Sequence, residues 1–267
     1  MELYYGGRGS LTMKKELPGS FVAQLSWPEV ERRIEAGAVA VLPIGAACKQ
    51  HGPHLPMNAD LLQAEWLAAA LVQRAEVLVW PTVAYGYYPA FSDYPGSVSL
   101  SAATFRAMVQ EILADIRRAG ARAVLILNTG ISTIEPLQAA AAAMSEQLHI
   151  GLANVYAGPR CRDVTQAIEQ QPRGGHADEL ETSILLAIGP EHVALDKAEA
   201  WTPSAMAVSG PFSRSDSDNP RFSPSGVWGD PTLASAVKGR RLLAAMVEDL
   251  LAAVEALAQS VGETGRQ

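Results

Sequence analysis

AVAVLPIGA, residues 38–46, is a short run of small and branched apolar side chains, a pattern typical of a strand buried on both faces. Three similar runs follow it along the chain: VLVWPTVA (77–84), AVLILNTG (123–130) and IGLANVYA (150–157). Helical spacing of apolar residues occupies the segments before and between these runs, at 26–37, 60–75, 101–120 and 134–148. Strands that alternate with helices form parallel sheets through right-handed crossovers. The sequence therefore predicts an α/β fold, a three-layer αβα sandwich with a mainly parallel central sheet.

Two further helices and one irregular segment follow the last predicted strand. The helices are predicted at 176–196 and 233–257. The Ser/Pro/Asp-rich segment 209–232 has no periodicity and indicates either a structured loop over the site or an interface arm. Because no internal repeat or linker is visible, we predict one domain at 25–258. An N-terminal extension at 1–24 and a C-terminal tail at 259–267 flank it.

Composition excludes several classes of function. The 267 residues are 48% hydrophobic and 18% charged, as in globular domains. The net charge is −7 and no basic cluster occurs, so we expect no nucleic-acid partner. No window of about 18 apolar residues occurs, so we expect neither a membrane span nor a secretion signal. Cys48 and Cys161 form no CxxC pair, which favours a reducing, cytoplasmic compartment.

Chemically active side chains gather where the predicted strands end. In open α/β sheets ligands bind at the carboxyl ends of strands, here the loops 46–60, 84–99 and 128–133. The first of these loops contains His51 and Asp60, and a second pair, His176 and Glu181, lies at the start of the later helix. Imidazole and carboxylate donors with an open position are what a catalytic zinc or manganese site requires. From the residues alone, this interpretation and a purely structural one both stay open.

Five motifs follow one another along the chain. They are LPIGAACKQHGPHLPMNAD, DYPGSVSLSAATF, AVLILNTGIST, HADELETSILLAIGPEHV and GVWGDPTLASAVKG. In this order they resemble the motifs of the creatininase (creatinine amidohydrolase) family, whose first signature is LP-x-G-S-x-E-Q-H-G-P-H-L-P-L-x-T-D. The resemblance covers roughly residues 25–255, and five motifs in sequence are far more specific than any one of them.

The resemblance implies a creatininase-like fold and a binuclear metal centre that hydrolyses amide bonds in small molecules. It also implies a homo-oligomer, commonly a hexamer. The family's ligands include the Glu and His of E-Q-H-G, the Asp that ends this motif, and the His of N-G-H-G-G-N. His51 and Asp60 match the first His and the Asp. Lys49 replaces the Glu, and Gly130 replaces the second His.

Both replaced ligands belong, in the family, to the same metal ion. The resemblance therefore implies at most one divalent ion, zinc or manganese, on His51, Asp60 and Glu181; binding of no metal is the alternative. A lysine ammonium cannot ligate a metal, yet it can occupy the place of the lost cation beside Asp60. We therefore expect Lys49 to lie against Asp60 in a partly buried site.

The predicted roles follow from this arrangement. Lys49 is predicted to stabilise developing oxyanion charge and His176 to transfer protons. The predicted substrate-binding residues either lie on the N-G-H-G-G-N-like turn or supply an aromatic wall: Asn128, Gly130, Tyr85 and Trp228.

The leading hypothesis is a hydrolase of a small amide, lactam or related C–N bond. One alternative is a metal-free or inactive paralogue that binds a small anionic metabolite through Lys49 and helix N-termini. Another is a metal-independent enzyme in which Lys49 acts as a base or Schiff-base amine. In each case the partner is a small molecule.

Overall fold

The computed structural model describes residues 17–202 and 210–264 and contains a parallel sheet flanked by helices. The five strands, in the spatial order β1-β3-β2-β4-β5, are β1 (Ser20–Phe21), β2 (Val39–Ile44), β3 (Val77–Val79), β4 (Ala123–Asn128) and β5 (His149–Asn154). The helices are α1 (Trp27–Glu35), α2 (Ala59–Arg74), α3 (Ala102–Arg118), α4 (Ile134–Met144), α5 (Pro159–Ile168), α6 (Glu179–Ile188) and α7 (Ala236–Thr264). The predicted three-layer αβα fold is confirmed.

The central strands are buried on both faces, and alternate side chains enter two different cores. From β2, Val39 and Val41 pack with residues of α2, α6 and α7. Ala40 and Leu42 of the same strand pack on the opposite face with residues of α3 and α4. This double burial explains why the strands are continuous apolar runs rather than alternating ones.

Element boundaries differ from the predictions in ways that have physical causes. The two-residue strand β1, within the predicted N-terminal extension, and the polar helix α5 were missed because neither carries a clear apolar period. Helix α7 continues to Thr264, into the segment predicted as a tail. Helix α6 begins at Glu179 rather than at 176, because the Asp178 side chain caps it.

The loops that follow β2, β3 and β4 lie together with the 210–232 segment at the edge of the sheet where β2 and β4 end. The segment is a structured loop over this edge: Trp228 pairs with His176 in an antiparallel bridge, and the Phe212 amide donates to the Ala90 carbonyl at 2.8 Å. Residue 209 of the predicted segment lies outside the described residues. Within the described part, none of the helices combines the length and apolarity needed to cross a membrane.

Candidate active site

Lys49 and Asp60 form a buried ion pair at the end of β2. The Lys49 Nζ atom lies 2.6 Å from Asp60 Oδ2, and the two residues are only 6% and 3% exposed. The loop after β2 holds Lys49 through a hydrogen bond from its amide to the Met57 carbonyl. Asp60 lies in the first turn of α2, near the positive end of the helix dipole. The predicted contact between Lys49 and Asp60 is therefore present.

The charge of Asp60 is stabilised by its neighbours. Burial by itself raises the pKa of a carboxyl group, because it disfavours the charged form. Here Lys49 and His51 together outweigh burial and hold the pKa of Asp60 well below its usual range. Asp60 is thus a buried carboxylate rather than a buried acid, and it depends on cationic partners.

His51 places both ring nitrogens against oxygen acceptors. Its Nδ1 atom lies 2.9 Å from the Lys49 carbonyl, and its Nε2 atom lies 3.1 Å from Asp60 Oδ1. A neutral imidazole has one N–H and one lone pair, so it cannot donate to both acceptors. If Nδ1 donates to the Lys49 carbonyl, the Nε2 lone pair faces the carboxylate and is placed where a metal ion could bind between them.

His176 has the complementary arrangement. Its Nε2 atom lies 2.8 Å from the Gln50 carbonyl, so this nitrogen carries the proton of the neutral ring. Its Nδ1 atom then directs a lone pair toward Glu181 Oε2, 3.6 Å away. Burial, assisted by the nearby charges of His51 and Lys49, holds the pKa of His176 well below its usual range. A neutral imidazole with a free lone pair suits a metal ligand or a general base.

Backbone hydrogen bonds around His176 hold the side chains of His176 and Glu181 in place. Amide and carbonyl of His176 bond to Trp228 at 3.1 and 2.8 Å, and Ala177 adopts a φ of +49°, which is uncommon for a residue with a side chain. The Ala177 amide donates to Glu181 Oε2.

Asp178 caps α6 by accepting hydrogen bonds from two amides of the helix, at 2.9 and 3.1 Å. Burial and, to a smaller extent, the nearby Glu181 raise the pKa of Asp178 to about 7.

Three donor groups converge closely enough to share one ion. Donor atoms of His51, His176 and Glu181 all lie within 4.8 Å of one another. Two ligands of a tetrahedral zinc ion, each bonded at about 2.1 Å, lie roughly 3.4 Å apart. Small adjustments of these side chains would therefore complete a site. Of the predicted set His51, Asp60 and Glu181, the structure joins His51 to Asp60 but groups His51 and Glu181 with His176.

A small pocket opens on the Lys49 side of Asp60. Its enclosed volume is only about 20 Å³, and its lining includes Lys49, Asp60, Tyr88, Asn128 and Gly130. Asn128 shapes the turn, because its Nδ2 donates to the Gly130 carbonyl at 2.6 Å and to Asn154 Oδ1 at 2.8 Å.

The predicted aromatic wall, Tyr85 and Trp228, does not line this pocket. Tyr85 is 50% exposed and is not among the residues that line the pocket. Tyr87 and Tyr88 of the same loop line it instead. Trp228 lies on the His176 side and packs against Phe212, with ring centroids 6.1 Å apart. The sequence signal was the aromatic loop as a whole, since strand-like alternation could not decide which of its tyrosines points inward.

Comparison with known proteins identifies the fold family. The family model for creatininase, described as creatinine amidohydrolase, matches residues 23–254. The chain belongs to the creatininase family. It is 28% identical to creatinine amidohydrolase from Pseudomonas putida over 255 residues, 88% of this chain and 95% of that protein. It is 30% identical to the mycofactocin precursor peptide peptidase of Mycolicibacterium smegmatis over 215 residues, 78% of this chain and 81% of that protein.

Solved creatininase structures share the whole fold. A structure named creatininase Mn superposes with a TM-score of 0.73 and 27% identity, covering 91% of this chain and 98% of that one. A Zn-Zn form of a mutant creatininase gives 0.72 and 27%, covering 90% and 97%. The relatives are hydrolases, which supports the expectation of an amidohydrolase-type enzyme.

Within this creatininase fold, the two sides of Asp60 differ in their capacity to hold an ion. The turn 128–133 reads NTGIST and contains no His, Cys, Asp or Glu. Lys49, which stands at the position of the family's glutamate ligand, forms an ion pair with Asp60. That side does not fit a metal ion, whereas His51, His176 and Glu181 offer the nitrogen and oxygen donors that zinc and manganese accept.

Proposed function

We propose that the chain hydrolyses a small amide, lactam or related C–N bond with at most one divalent metal ion. The observation that carries this proposal is the buried Lys49–Asp60 pair beside the donor group of His51, His176 and Glu181. Family membership supports the reaction class, since the relatives named above include a creatinine amidohydrolase and a peptide peptidase.

The donor group fits zinc or manganese. His51 supports this fit, because its Nε2 atom faces a carboxylate while its Nδ1 atom is held by a backbone carbonyl. Metal-binding histidines usually have this second hydrogen bond, which fixes the ring and its tautomer. When bound, the ion would supply Lewis acidity that activates water near neutral pH.

The other side chains have separate tasks. Lys49 carries a fixed positive charge in a buried place, where it can donate to the oxyanion that develops on a substrate carbonyl. His176 Nδ1 has one of two roles, as the third ligand of the ion or as the base that takes a proton from the attacking water. Asp60 pairs with Lys49 through Oδ2, and its Oδ1 faces the Nε2 position of His51 that the ion would occupy.

A second candidate is a metal-free protein that binds a small anion. The observation in its favour is that Lys49 already balances Asp60, so the carboxylate does not require a metal ion. The Schiff-base alternative has less support, because the Asp60 carboxylate at 2.6 Å favours the ammonium form, which is not a nucleophile.

Organisation beyond the site is proposed on the family resemblance. We propose a single catalytic domain at 25–258, a homo-oligomer, commonly a hexamer in this family, and a cytoplasmic location. Sedimentation equilibrium of the full chain would measure the assembly directly, and a monomer at micromolar concentration would contradict the oligomer.

Elemental analysis tests the metal proposal. Protein purified without an immobilised-metal column and dialysed with zinc or manganese should retain about one ion per chain. E181Q should lose this ion and the amidase activity, whereas E191Q, which alters a 68% exposed carboxylate, should keep both. Two ions per chain in the wild type would contradict the proposal, and none would favour the metal-free candidate.

H176A separates the two roles of that histidine. Loss of the ion assigns His176 as a ligand. Retention of the ion with loss of turnover assigns it as the base.

A further inference from the structure

The pocket on the Lys49 side contains a buried hydroxyl without a partner. Tyr88 is 2% exposed and lines the pocket, and its hydroxyl makes no hydrogen bond with any described residue. Buried polar groups are nearly always hydrogen-bonded, and an unpaired one is destabilising. Burial, with smaller contributions from Cys48 and Asp60, raises the pKa of Tyr88 to about 12, so this hydroxyl keeps its proton and can donate.

Lys49 adds further donors to the same pocket. Its ammonium has three N–H groups, and within the described ranges Asp60 is its hydrogen-bonding partner. The Phe91 ring, 5.3 Å from Nζ, contributes a cation–π contact but no acceptor atom. Two strongly polar N–H groups of a 6% exposed residue are therefore free to bind an oxygen-bearing ligand.

The start of α4 gives the pocket the electrostatics of an anion site. Residues 131–133 line the pocket and lead directly into this eleven-residue helix. A helix N-terminus carries a partial positive charge, which favours anions. Here this charge acts mainly through the dipole, because the Ile134 amide bonds to the Ile131 carbonyl and Pro136 has no amide. Lys49 and Asp60, the charged residues of the lining, neutralise each other. The helix end and the Tyr88 hydroxyl therefore leave a net preference for an oxyanion.

We infer that this pocket binds a carboxylate group of the substrate, so that the substrate class is small amides that carry a carboxylate. The carboxylate would accept from Lys49 and from the Tyr88 hydroxyl. Asp60 both lines this pocket and contacts His51, so a C–N bond a few atoms away would lie near the donor group. This inference rests on the proposed function for the assignment of the ligand as substrate, but the binding itself does not require metal.

Binding of N-acetylglycine and its neutral analogue N-acetylglycinamide to chelator-treated protein tests the inference. Isothermal titration should show that the carboxylate compound binds at least tenfold more tightly than the neutral one. Y88F should weaken N-acetylglycine binding about tenfold, because one hydrogen bond to a charged group is lost. Y94F is the matched control, since its buried hydroxyl donates to the Ser223 carbonyl away from the pocket, and binding should change less than about twofold.

Each outcome separates this inference from the proposed function. Equal binding of the two compounds, or equal effects of Y88F and Y94F, would overturn the carboxylate site. Tighter binding of inorganic phosphate than of N-acetylglycine would overturn the carboxylate class. Carboxylate binding that depends on Tyr88, in a protein that retains no metal and hydrolyses no amide, would uphold the site while the proposed function fails. Hydrolysis of neutral amides without carboxylate binding would give the reverse result.

Discussion

The two oxygens of Asp60 face two different chemical environments. Oδ2 lies 2.6 Å from the ammonium of Lys49, a cation that is part of the chain. Oδ1 lies 3.1 Å from His51 Nε2, one of the three donor groups that could share a metal ion. One side therefore faces a cation that belongs to the chain, and the other faces donors for a cation that would have to be bound.

This difference supports the proposal that the Lys49 side holds no metal ion although its carboxylate is buried. A buried anion with no partner is strongly destabilising, so it needs a cation close by. Lys49 provides this cation from the loop that also holds His51. The side that keeps His51, His176 and Glu181 then retains the only group of metal-type donors found among the described residues.

The largest expected effect is the return of a second metal ion. K49E/G130H places a carboxylate and an imidazole on the Lys49 side, which should raise the metal content from about one to about two ions per chain and the melting temperature in the presence of zinc. Elemental analysis and thermal unfolding would measure both.

The design has one steric demand and one internal control. A Cβ at position 130 would lie 2.9 Å from Thr133 Oγ1, so the Thr133 hydroxyl would have to shift from its hydrogen bonds to Asn128 Oδ1 and the Gly130 carbonyl. G130H alone keeps the ammonium in place and should gain no ion. Unchanged metal content in a folded K49E/G130H would show that the correspondence with the family's ligands is mistaken.

Removal of the fixed charge should have the next largest effect. K49M leaves the Asp60 carboxylate buried with one cationic partner fewer, and the free energy of unfolding should fall by about 3–5 kcal/mol in chelator-treated protein. R74M breaks a pair of similar length, Arg74–Glu248 at 2.7 Å, but both side chains are 48% exposed. That variant should lose less than about 1 kcal/mol.

D60N in the K49M background should recover much of the lost stability, since it removes the uncompensated charge. Urea unfolding of the four proteins provides the measurement. Equal losses in K49M and R74M would mean that Lys49 does not neutralise a buried charge.

The sheet was predictable from sequence because its central strands are buried on both faces. In β2 and β4 each residue except Asn128, at the end of β4, is apolar, so a continuous run marks each strand. The edge strand β1 has two residues and pairs only with β3, and α5 packs a narrow apolar face that includes Cys161. Such elements depend on tertiary contacts rather than on local pattern, so the sequence contained too little signal for them.

The site was predictable in part. The pairing of Lys49 with Asp60 followed from the resemblance, because both positions belong to one motif. The grouping of His176 with His51 and Glu181 depends on the Trp228 bridge and on the positive φ of Ala177, which bring distant segments together. No spacing rule along the chain encodes these two features.

The smallest of the predicted effects is a difference in acid sensitivity between the two sides of Asp60. His54 lies near His51, on the opposite side of Asp60 from Lys49. Its Nε2 atom contacts Thr182 Oγ1 at 2.8 Å, and its Nδ1 atom has no partner in the described part of the chain. Burial, then the charge of His51, lowers the pKa of His54 to about 4. Its stabilising contribution is therefore complete above the unfolded value near 6.5 and decreases as the pH falls toward 4.

At pH 5 this loss amounts to about 2 kcal/mol, since each unit below 6.5 costs about 1.4 kcal/mol. H54Q should reduce the fall in unfolding free energy between pH 7 and 5 by this amount in chelator-treated protein, while H192Q, at a 37% exposed side chain, should not. The Asp60 contribution has the lower window: its pKa is depressed, so stability is retained until the pH falls below about 4. K49M should move that loss to higher pH, and an unchanged acid limb in K49M would show that Lys49 does not lower the pKa of Asp60.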